Sequence, residues 1–171
     1  LPFYANTHTE TSGTGHQTTR YREDARRIIL DAVNGDERDA VLFCGSGATG
    51  TVDRLINILN LRLPNELDEE YGFTGQISPE KRPVIFIGPY EHHSNEVLWR
   101  ETIADVVVVE EDEAGLVDLD ILKDRLLEYA DRPLKIGSFS AASNVTGIIT
   151  NTDPVTTMLH EHDAIACWDF A

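Results

Sequence analysis

The stretch Ile165-Ala166-Cys167-Trp168-Asp169-Phe170-Ala171 is the part of the sequence that most directly indicates the fold. Its nearly continuous apolar start is typical of a strand that is covered on both faces of a parallel sheet. The carboxylate of Asp169 then falls at the carboxyl end of that strand, the edge at which α/β sheets bind ligands. A buried carboxylate is costly without a partner, so we expect Asp169 either to pair with a cationic group or to bond structurally to the backbone.

Working outward, four more short apolar runs predict strands at residues 40–44, 84–88, 105–109 and 134–139. Segments with a helical period of apolar residues separate them, the first after a cap at Thr18 or Thr19 and the last after Asp153-Pro154. This alternation predicts the α/β class, with a mostly parallel sheet flanked by helices. We expect a single α/β domain over residues 1–171.

Two segments of that domain fall outside the strand and helix pattern. The polar residues 1–18 predict an N-terminal arm, which is either flexible or folded over a ligand site or a partner subunit. Residues 64–82 combine Pro, Gly and a run of acidic side chains, which indicates an exposed loop.

The composition narrows the possible partners. The chain has 30 acidic and 14 basic residues among 171, a net charge of −16, so duplex nucleic acid and anionic membranes are poor partners. No apolar run approaches the roughly 18 to 20 residues of a membrane span. Cys44 and Cys167 are the only cysteines, and both lie in apolar runs. That usage favours reduced thiols and a cytoplasmic protein.

A glycine-rich turn, Gly45-Ser46-Gly47-Ala48-Thr49-Gly50, links the first predicted strand to a helix. Backbone N–H groups at such a helix start can bind phosphate without Lys or Arg, and the hydroxyl of Thr49 adds a donor. The turn lacks the Lys-Ser/Thr ending of a Walker A loop and the spacing of GxGxxG. Taken alone, it is equally well an ordinary strand–helix turn.

Two more polar loops follow predicted strands. Glu91-His92-His93-Ser94 comes after the second, where the imidazoles predict metal ligands, acid–base groups, a flat surface against an aromatic cofactor, or simple helix capping. Asn144 follows the fourth, where it is either a turn residue or a ligand-binding amide. His160 and His162 cannot share a metal ion, because helix positions i and i+2 point about 200° apart.

The order of these motifs resembles the class V aminotransferases, pyridoxal-phosphate enzymes that include cysteine desulfurases and selenocysteine lyases. The resemblance rests on segments spread over nearly the whole chain: Tyr4-Ala5-Asn6, Gly47-Ala48-Thr49, Glu91-His92-His93, Ser143-Asn144-Val145-Thr146-Gly147, His160-Glu161-His162-Asp163-Ala164 and Asp169. It implies the N-terminal part of the large domain of a pyridoxal-phosphate-dependent transferase of fold type I.

The resemblance also implies roles for five residues. Ala48 and Thr49 would bind the cofactor phosphate, and Asn144 would lie near the ring hydroxyl or the substrate. His92 would stack on the pyridine ring, and Asp169 would pair with the ring nitrogen, which makes these two the predicted catalytic residues. The ion pair at the nitrogen would keep the ring cationic and so an electron sink.

Departures from the family pattern bear on the reaction. Gly50 replaces the usual acidic residue after Thr49, and Asp163 replaces a common Gly. The lysine that binds the cofactor covalently would lie beyond residue 171, because Lys81, Lys123 and Lys135 are the only lysines and none suits that role. We therefore expect this chain alone to be inactive.

The family resemblance further implies an amino-acid substrate, transamination or a desulfurase or lyase reaction, and a homodimer. Two other functions remain open at this stage. The first is a non-catalytic α/β module that binds a phosphorylated ligand at the glycine turn. The second is a metal-dependent hydrolase that uses His92 and His93.

Overall fold

The computed structural model describes residues 5–170. Tyr4 and Ala171, which belong to two of the motifs above, lie outside the described residues. The chain divides into two compact units, Leu1–Phe43 and Cys44–Ala171. The single domain over residues 1–171 stays a prediction.

The first unit contains one long helix, α1, which spans Gly13–Ala32. Ser12 is its N-cap, and the Ser12 hydroxyl accepts a hydrogen bond from the N–H of Gly15 at 3.1 Å. The predicted cap at Thr18 or Thr19 was therefore wrong, and the predicted arm of residues 1–18 includes the first turns of this helix. The segment is polar, but the Ser12 cap satisfies the first turn and lets the helix start earlier than predicted.

The second unit is an α/β layer structure with a parallel sheet, as predicted. Within the described residues the sheet has four strands, all parallel, in the order β2-β1-β3-β4. Their bounds are Val84–Ile87 for β1, Asp105–Val108 for β2, Lys135–Ser140 for β3 and Ile165–Asp169 for β4. The helices are α2 at Gly47–Ile58, α3 at Asn65–Tyr71, α4 at Phe73–Gln76, α5 at His93–Arg100, α6 at Leu119–Glu128 and α7 at Thr152–Glu161.

Helices cover both faces of this sheet because its side chains alternate between them. Val84 and Phe86 join a core cluster with residues of α6 and α7, such as Leu122 and Leu159. Ile85 and Ile87 of β1 join a second cluster, which includes Ile56 of α2 and Trp99 of α5. Every residue of β1 is buried, which explains why its sequence is continuously apolar.

The predicted strand at residues 40–44 was wrong, because these residues carry no strand. Leu42 and Phe43 are 59% and 46% exposed. An apolar run suggests a buried strand only if a neighbouring strand pairs with it, and that pairing is a tertiary property.

The exposed loop predicted at residues 64–82 was wrong in its backbone, although most of its side chains are exposed. The segment holds α3, α4 and a 3₁₀ turn at Pro79–Lys81. Two acidic residues in the first turn of α3 suit a helix start. The Asp68 carboxylate accepts the N–H of Thr74 at 2.6 Å, and this contact with Thr74 lowers the pKa of Asp68.

One helix start also differs from the sequence prediction. The last helix, α7, begins at Thr152 after Asn151, so Pro154 occupies its third position and not its first. Helix α5 is capped by His92, and helix capping is one of the roles that the sequence left open for these imidazoles. Among residues 5–170 no helix is both long and apolar enough to cross a membrane.

Candidate cofactor-binding site

The carboxyl ends of β1, β3 and β4 and the start of α2 surround a cavity of about 290 Å³. All five residues predicted for the site line this cavity: Ala48, Thr49, His92, Asn144 and Asp169. Strand β2 pairs with one side of β1, and β3 pairs with the other side. Such a reversal of strand order opens a crevice at the carboxyl edge, which is where α/β sheets bind ligands.

The start of α2 supplies backbone donors to this cavity. Ser46, its N-cap, has a left-handed backbone with φ 64°, and its side chain makes no capping hydrogen bond. The first-turn N–H groups of a helix have no partner within the helix, and here Gly47, Ala48 and Thr49 line the cavity. These N–H groups, the helix dipole and the Thr49 hydroxyl form a set that suits a phosphate.

Gly50, one of the departures from the family pattern, has a local structural cause. A Cβ atom at this position would come within 1.8 Å of the Gly45 carbonyl oxygen. The glycine turn folds back against the first turn of α2, so no side chain fits at residue 50. An acidic residue there would require a different turn.

His92 lies at the cavity with a defined ring tautomer. Its Nδ1 accepts the backbone N–H of Ser94 at 3.2 Å and lies 2.9 Å from the Ser94 hydroxyl. A backbone N–H can only donate, so Nδ1 carries no proton and the neutral ring holds its proton on Nε2. The exposed imidazole can therefore present its face to an aromatic ligand while its edge caps α5.

The neighbouring His93 does not share this position. It is not among the residues that line the cavity, and its ring is tilted by 41° from that of His92, with the centroids 5.9 Å apart. The two imidazoles therefore do not form one flat surface. Within residues 5–170, no group of three or more His, Cys, Asp or Glu side chains is placed to hold a metal ion. The metal-dependent hydrolase gains no support from this geometry.

Asp169 and Asn144 complete the cavity wall. Asp169 is the last residue of β4, is half-buried and pairs in register with Ser140 of β3. Asn144 lies in the turn after β3, where the Ser143 hydroxyl accepts the N–H groups of Val145 and Thr146. The cavity thus offers a carboxylate at one side, an imidazole at another and a phosphate-binding helix start. This donor set fits a phosphorylated aromatic cofactor with a basic ring nitrogen.

Sequence reasoning missed one residue of the cavity wall that matters for its structure. Ser140 lines the cavity, but the predicted strand ended at residue 139. Its hydroxyl donates to a carboxylate oxygen of Glu91 at 2.7 Å, and its backbone N–H donates to the other at 2.9 Å. Polar residues at strand ends are common, so the residue type alone does not single out Ser140. Extending the predicted strand by one residue would have placed Ser140 at the ligand-binding edge.

A second cavity of about 310 Å³ adjoins the first and shares Ala48 and Asp169 with it. It is more apolar, with Val52, Leu55 and Trp99 in its wall, and it includes Cys167. Burial raises the pKa of the Cys167 thiol to about 11. Cys167 is therefore a neutral, weakly reactive thiol at physiological pH, and both cysteines of the chain are free.

None of the three lysines lines the cavity. Lys81 lies in the 3₁₀ turn before β1, and Lys135 is the first residue of β3, so both are at the amino edge of the sheet. The Lys135 Nζ donates to the Ala130 carbonyl at 3.1 Å. Lys123 is exposed on α6.

The family described as aminotransferase class-V matches residues 1–171, the whole chain. The chain belongs to the class-V aminotransferase family. This result confirms the resemblance that the motifs indicated.

Individual relatives are similar to the chain at low sequence identity. A probable cysteine desulfurase from Pyrococcus abyssi is 25% identical over 175 residues, which cover all of this class-V chain and 38% of that protein. The apo structure of a cysteine desulfurase from Thermococcus onnurineus matches all of the chain with a TM-score of 0.72 and 20% identity. The cysteine desulfurase CsdA from Escherichia coli matches 96% of it with a TM-score of 0.62 and 21% identity.

These solved structures show the fold, which is that of a fold-type-I pyridoxal-phosphate-dependent transferase, as predicted. The chain spans 38% of the Thermococcus structure and 37% of the Escherichia structure. The activity, substrate and partners of the whole protein are therefore matters for proposal.

Proposed function

We propose that this chain carries the phosphate- and ring-binding part of a pyridoxal-phosphate-dependent enzyme that acts on an amino acid. One observation supports this most strongly: five residues from four separate motifs line a single cavity at the carboxyl edge of the sheet. When bound, the cofactor supplies an electron sink that stabilises negative charge on the carbon next to the substrate amine.

Each residue has a role that its position supports. The first-turn N–H groups of α2 and the Thr49 hydroxyl bind the phosphate, so the strongly acidic chain needs no basic side chain there. The His92 imidazole stacks on the pyridine ring. The Asp169 carboxylate holds a proton on the ring nitrogen, because a nearby anion favours the cationic form of that nitrogen. Asn144 contacts the ring hydroxyl or the substrate.

We extend the proposal to the missing lysine and the reaction. The cofactor lysine lies outside these 171 residues, because the three lysines of the chain lie away from the cavity. The reaction is of the cysteine desulfurase type, since the curated relative and the two solved structures described above carry that name. Homodimer formation and a cytoplasmic location stay predictions from the family resemblance.

The experiment that tests the cofactor site is a titration of this chain with pyridoxamine 5′-phosphate, which needs no lysine for binding. We expect saturable binding that Thr49→Ala weakens about tenfold, because the variant lacks one hydrogen bond to a charged group. Thr157→Ala is the matched control, since Thr157 is exposed on α7 away from the cavity. Equal affinities for the wild type and Thr49→Ala would contradict the assignment of the phosphate site.

The lysine proposal has a separate test. Treating the chain with pyridoxal 5′-phosphate and then borohydride should give no stoichiometric adduct at a single lysine. Peptide mapping that finds full modification at one of the three lysines would overturn the proposal.

A second function draws on the same helix start. A binding module for a phosphorylated ligand would use the α2 N–H groups but would have no need of His92 or Asp169. Competition by ribose 5-phosphate separates the two proposals. A module that recognises phosphate alone binds both compounds equally, whereas a pyridoxal-phosphate site favours pyridoxamine 5′-phosphate.

A further inference from the structure

Glu91, the first residue of the Glu-His-His motif, makes four hydrogen bonds with no role yet assigned. One carboxylate oxygen accepts the backbone N–H groups of Gly88 at 3.2 Å and Ser140 at 2.9 Å. The other accepts the Ser140 hydroxyl at 2.7 Å and the side-chain amide of Asn95 at 2.7 Å. The partners belong to the loop after β1, the end of β3 and the first turn of α5. One carboxylate thus joins three elements at the rim of the cavity.

The backbone around Glu91 leaves room for this carboxylate. A Cβ atom at residue 88 would lie 2.6 Å from a Glu91 carboxylate oxygen and 3.3 Å from the Phe139 ring. Any residue other than glycine at this position would therefore displace the carboxylate or the ring. The glycine that follows β1 and the glutamate three residues later therefore fit together as a pair.

The contact with Asn95 extends the network into the core. Asn95 is 1% exposed, and its amide oxygen accepts the Ser138 hydroxyl at 2.6 Å. The Trp99 indole N–H donates to the Ser138 hydroxyl oxygen at 3.1 Å and to the Asn95 amide oxygen at 3.4 Å. The amide cannot turn over without placing its NH₂ group against these two donors. Its NH₂ group therefore faces Glu91 and requires an acceptor there.

His92 is the next residue after Glu91. Hydrogen bonds that fix Glu91 therefore also fix the backbone from which the imidazole extends. The ring lies at the rim of the cavity, and its Nδ1 is tied to the N–H of Ser94. An exposed side chain at a loop–helix junction has few packing contacts to hold it. Stacking on an aromatic ligand nevertheless requires placement within about 0.5 Å.

We propose that Glu91 is a positioning residue: its carboxylate fastens the β1–α5 turn to the end of β3 and so holds the His92 ring at the cavity. Glu91 does not line the cavity, so it acts through His92 and not by touching a ligand. The proposal rests on the proposed function for the role of His92. The hydrogen-bond network itself is independent of any ligand.

The network can be tested in the ligand-free chain with Glu91→Gln. The glutamine NH₂ group would meet the NH₂ group of Asn95, two donors in place of a donor and an acceptor. The chain has two tryptophans, and their indole N–H signals in a ¹⁵N-labelled sample report on separate places. We expect the Trp99 signal to shift and the Trp168 signal, whose N–H donates to Thr156, to stay.

Glu96→Gln is the matched control, because Glu96 lies on α5, the helix of Trp99, and pairs with Arg100 at a partly exposed position. It should move neither indole signal. An unchanged Trp99 signal in Glu91→Gln would overturn the network.

The positioning role is tested by comparing two ligands. We expect Glu91→Gln to weaken binding of pyridoxamine 5′-phosphate about tenfold while inorganic phosphate stays within about twofold, since only the ring contact depends on His92. Equal weakening of both ligands would assign Glu91 to general support of the fold and overturn the positioning role. If the wild type binds both ligands alike, the proposed function fails, and the indole signals still decide the network.

Ser140→Ala is a second, milder variant that tests the same network if Glu91→Gln does not fold. It removes one of the four hydrogen bonds to Glu91 and leaves the backbone contact of residue 140 in place. Circular dichroism checks the fold of each variant. Ser140→Ala should give the same pattern with the ring ligand weakened about threefold. If its affinities for both ligands equal those of the wild type, the proposal fails even when Glu91→Gln cannot be purified.

Discussion

The amino edge and the carboxyl edge of the parallel sheet both carry polar side chains, but the surroundings of these side chains differ. At the amino edge, Arg132 donates to the Asp105 carboxylate at 2.5 Å and to the Arg82 carbonyl at 2.8 Å, and it lies over the Tyr129 ring at 5.1 Å. Its side chain is 12% exposed. At the carboxyl edge, the polar side chains surround a cavity of about 290 Å³.

This contrast separates polar groups that stabilise from polar groups that can bind. At the amino edge the Arg132 cation is held by partners within the protein: two oxygen acceptors and an aromatic ring. At the carboxyl edge the Glu91 carboxylate is likewise bonded within the protein, whereas His92, Asp169 and the start of α2 line the cavity. We therefore expect substitutions at the amino edge to change stability, and those at the carboxyl edge to change ligand binding.

The largest effect is expected for Arg132→Ala. The variant leaves the Asp105 carboxylate and the Arg82 carbonyl without the guanidinium, and the Tyr129 ring without its cation. Because Asp105 is 35% exposed and partly hydrated, we expect unfolding to become easier by about 2 to 3 kcal/mol, below the range for fully buried pairs. Urea denaturation measures this, with affinity for pyridoxamine 5′-phosphate unchanged.

Arg125→Ala is the control for that experiment. Arg125 pairs with Glu128 at an exposed position on α6, and such surface pairs contribute about 0 to 1 kcal/mol. If Arg125→Ala lost as much stability as Arg132→Ala, the distinction between part-buried and exposed ion pairs would not hold.

The next effect concerns how far solvent from the carboxyl-edge cavities reaches into the sheet. The pKa of Cys167 is raised from 9.0 to about 11 by burial, so at pH 8 it holds about 100-fold less thiolate than an ordinary thiol. We expect iodoacetamide to modify Cys167 about 100-fold faster in urea than in the folded chain. Mass spectrometry of the Cys167 peptide gives the two rates. Similar rates would place the thiol in contact with solvent.

The same thiol gives a pH dependence of stability. Its folded pKa lies above its unfolded value, so the folded state favours the protonated form. The stability from the neutral thiol is fully present below pH 9 and is lost as pH rises through about 11. Cys167→Ser, compared with the wild type over this range, should remove that part of the slope in urea denaturation.

At the cavity itself, Asp169→Asn should weaken pyridoxamine 5′-phosphate binding about 30-fold, or about 2 kcal/mol. The amide keeps the shape of the carboxylate but no longer favours a proton on the ring nitrogen. The ultraviolet absorption of the bound ligand reports that proton. Unchanged affinity and an unchanged spectrum would assign Asp169 a structural role.

The smallest effect is expected for His92→Ala. If stacking is its role, losing the ring costs about 0.5 to 1.5 kcal/mol, or about a 2- to 12-fold loss of affinity for the same ligand. Inorganic phosphate should bind as before. His93→Ala serves as the control, because His93 does not line the cavity. A larger loss in His93→Ala than in His92→Ala would exchange the roles of the two imidazoles.

Much of the fold could be predicted because the relevant signals are local. The all-buried strand β1 has a continuously apolar sequence, and the period of α6 places Leu122 and Leu126 in the core. Residues 40–44 look the same in sequence but carry no strand, because pairing depends on a neighbour far along the chain. Residues 64–82 show the opposite error, since their Pro, Gly and acidic residues serve helix ends and not a loop.

The sequence by itself determined the α/β class, the parallel strands and five of the residues that line the cavity. Hydrophobic periodicity and the order of motifs are properties of the chain, and parallel strands bring their carboxyl ends to one edge. Only the tertiary structure decided that Glu91 joins β1, β3 and α5, and that Ser140 is its partner 49 residues away. Those hydrogen bonds depend on the register of β1 with β3, which no local pattern encodes.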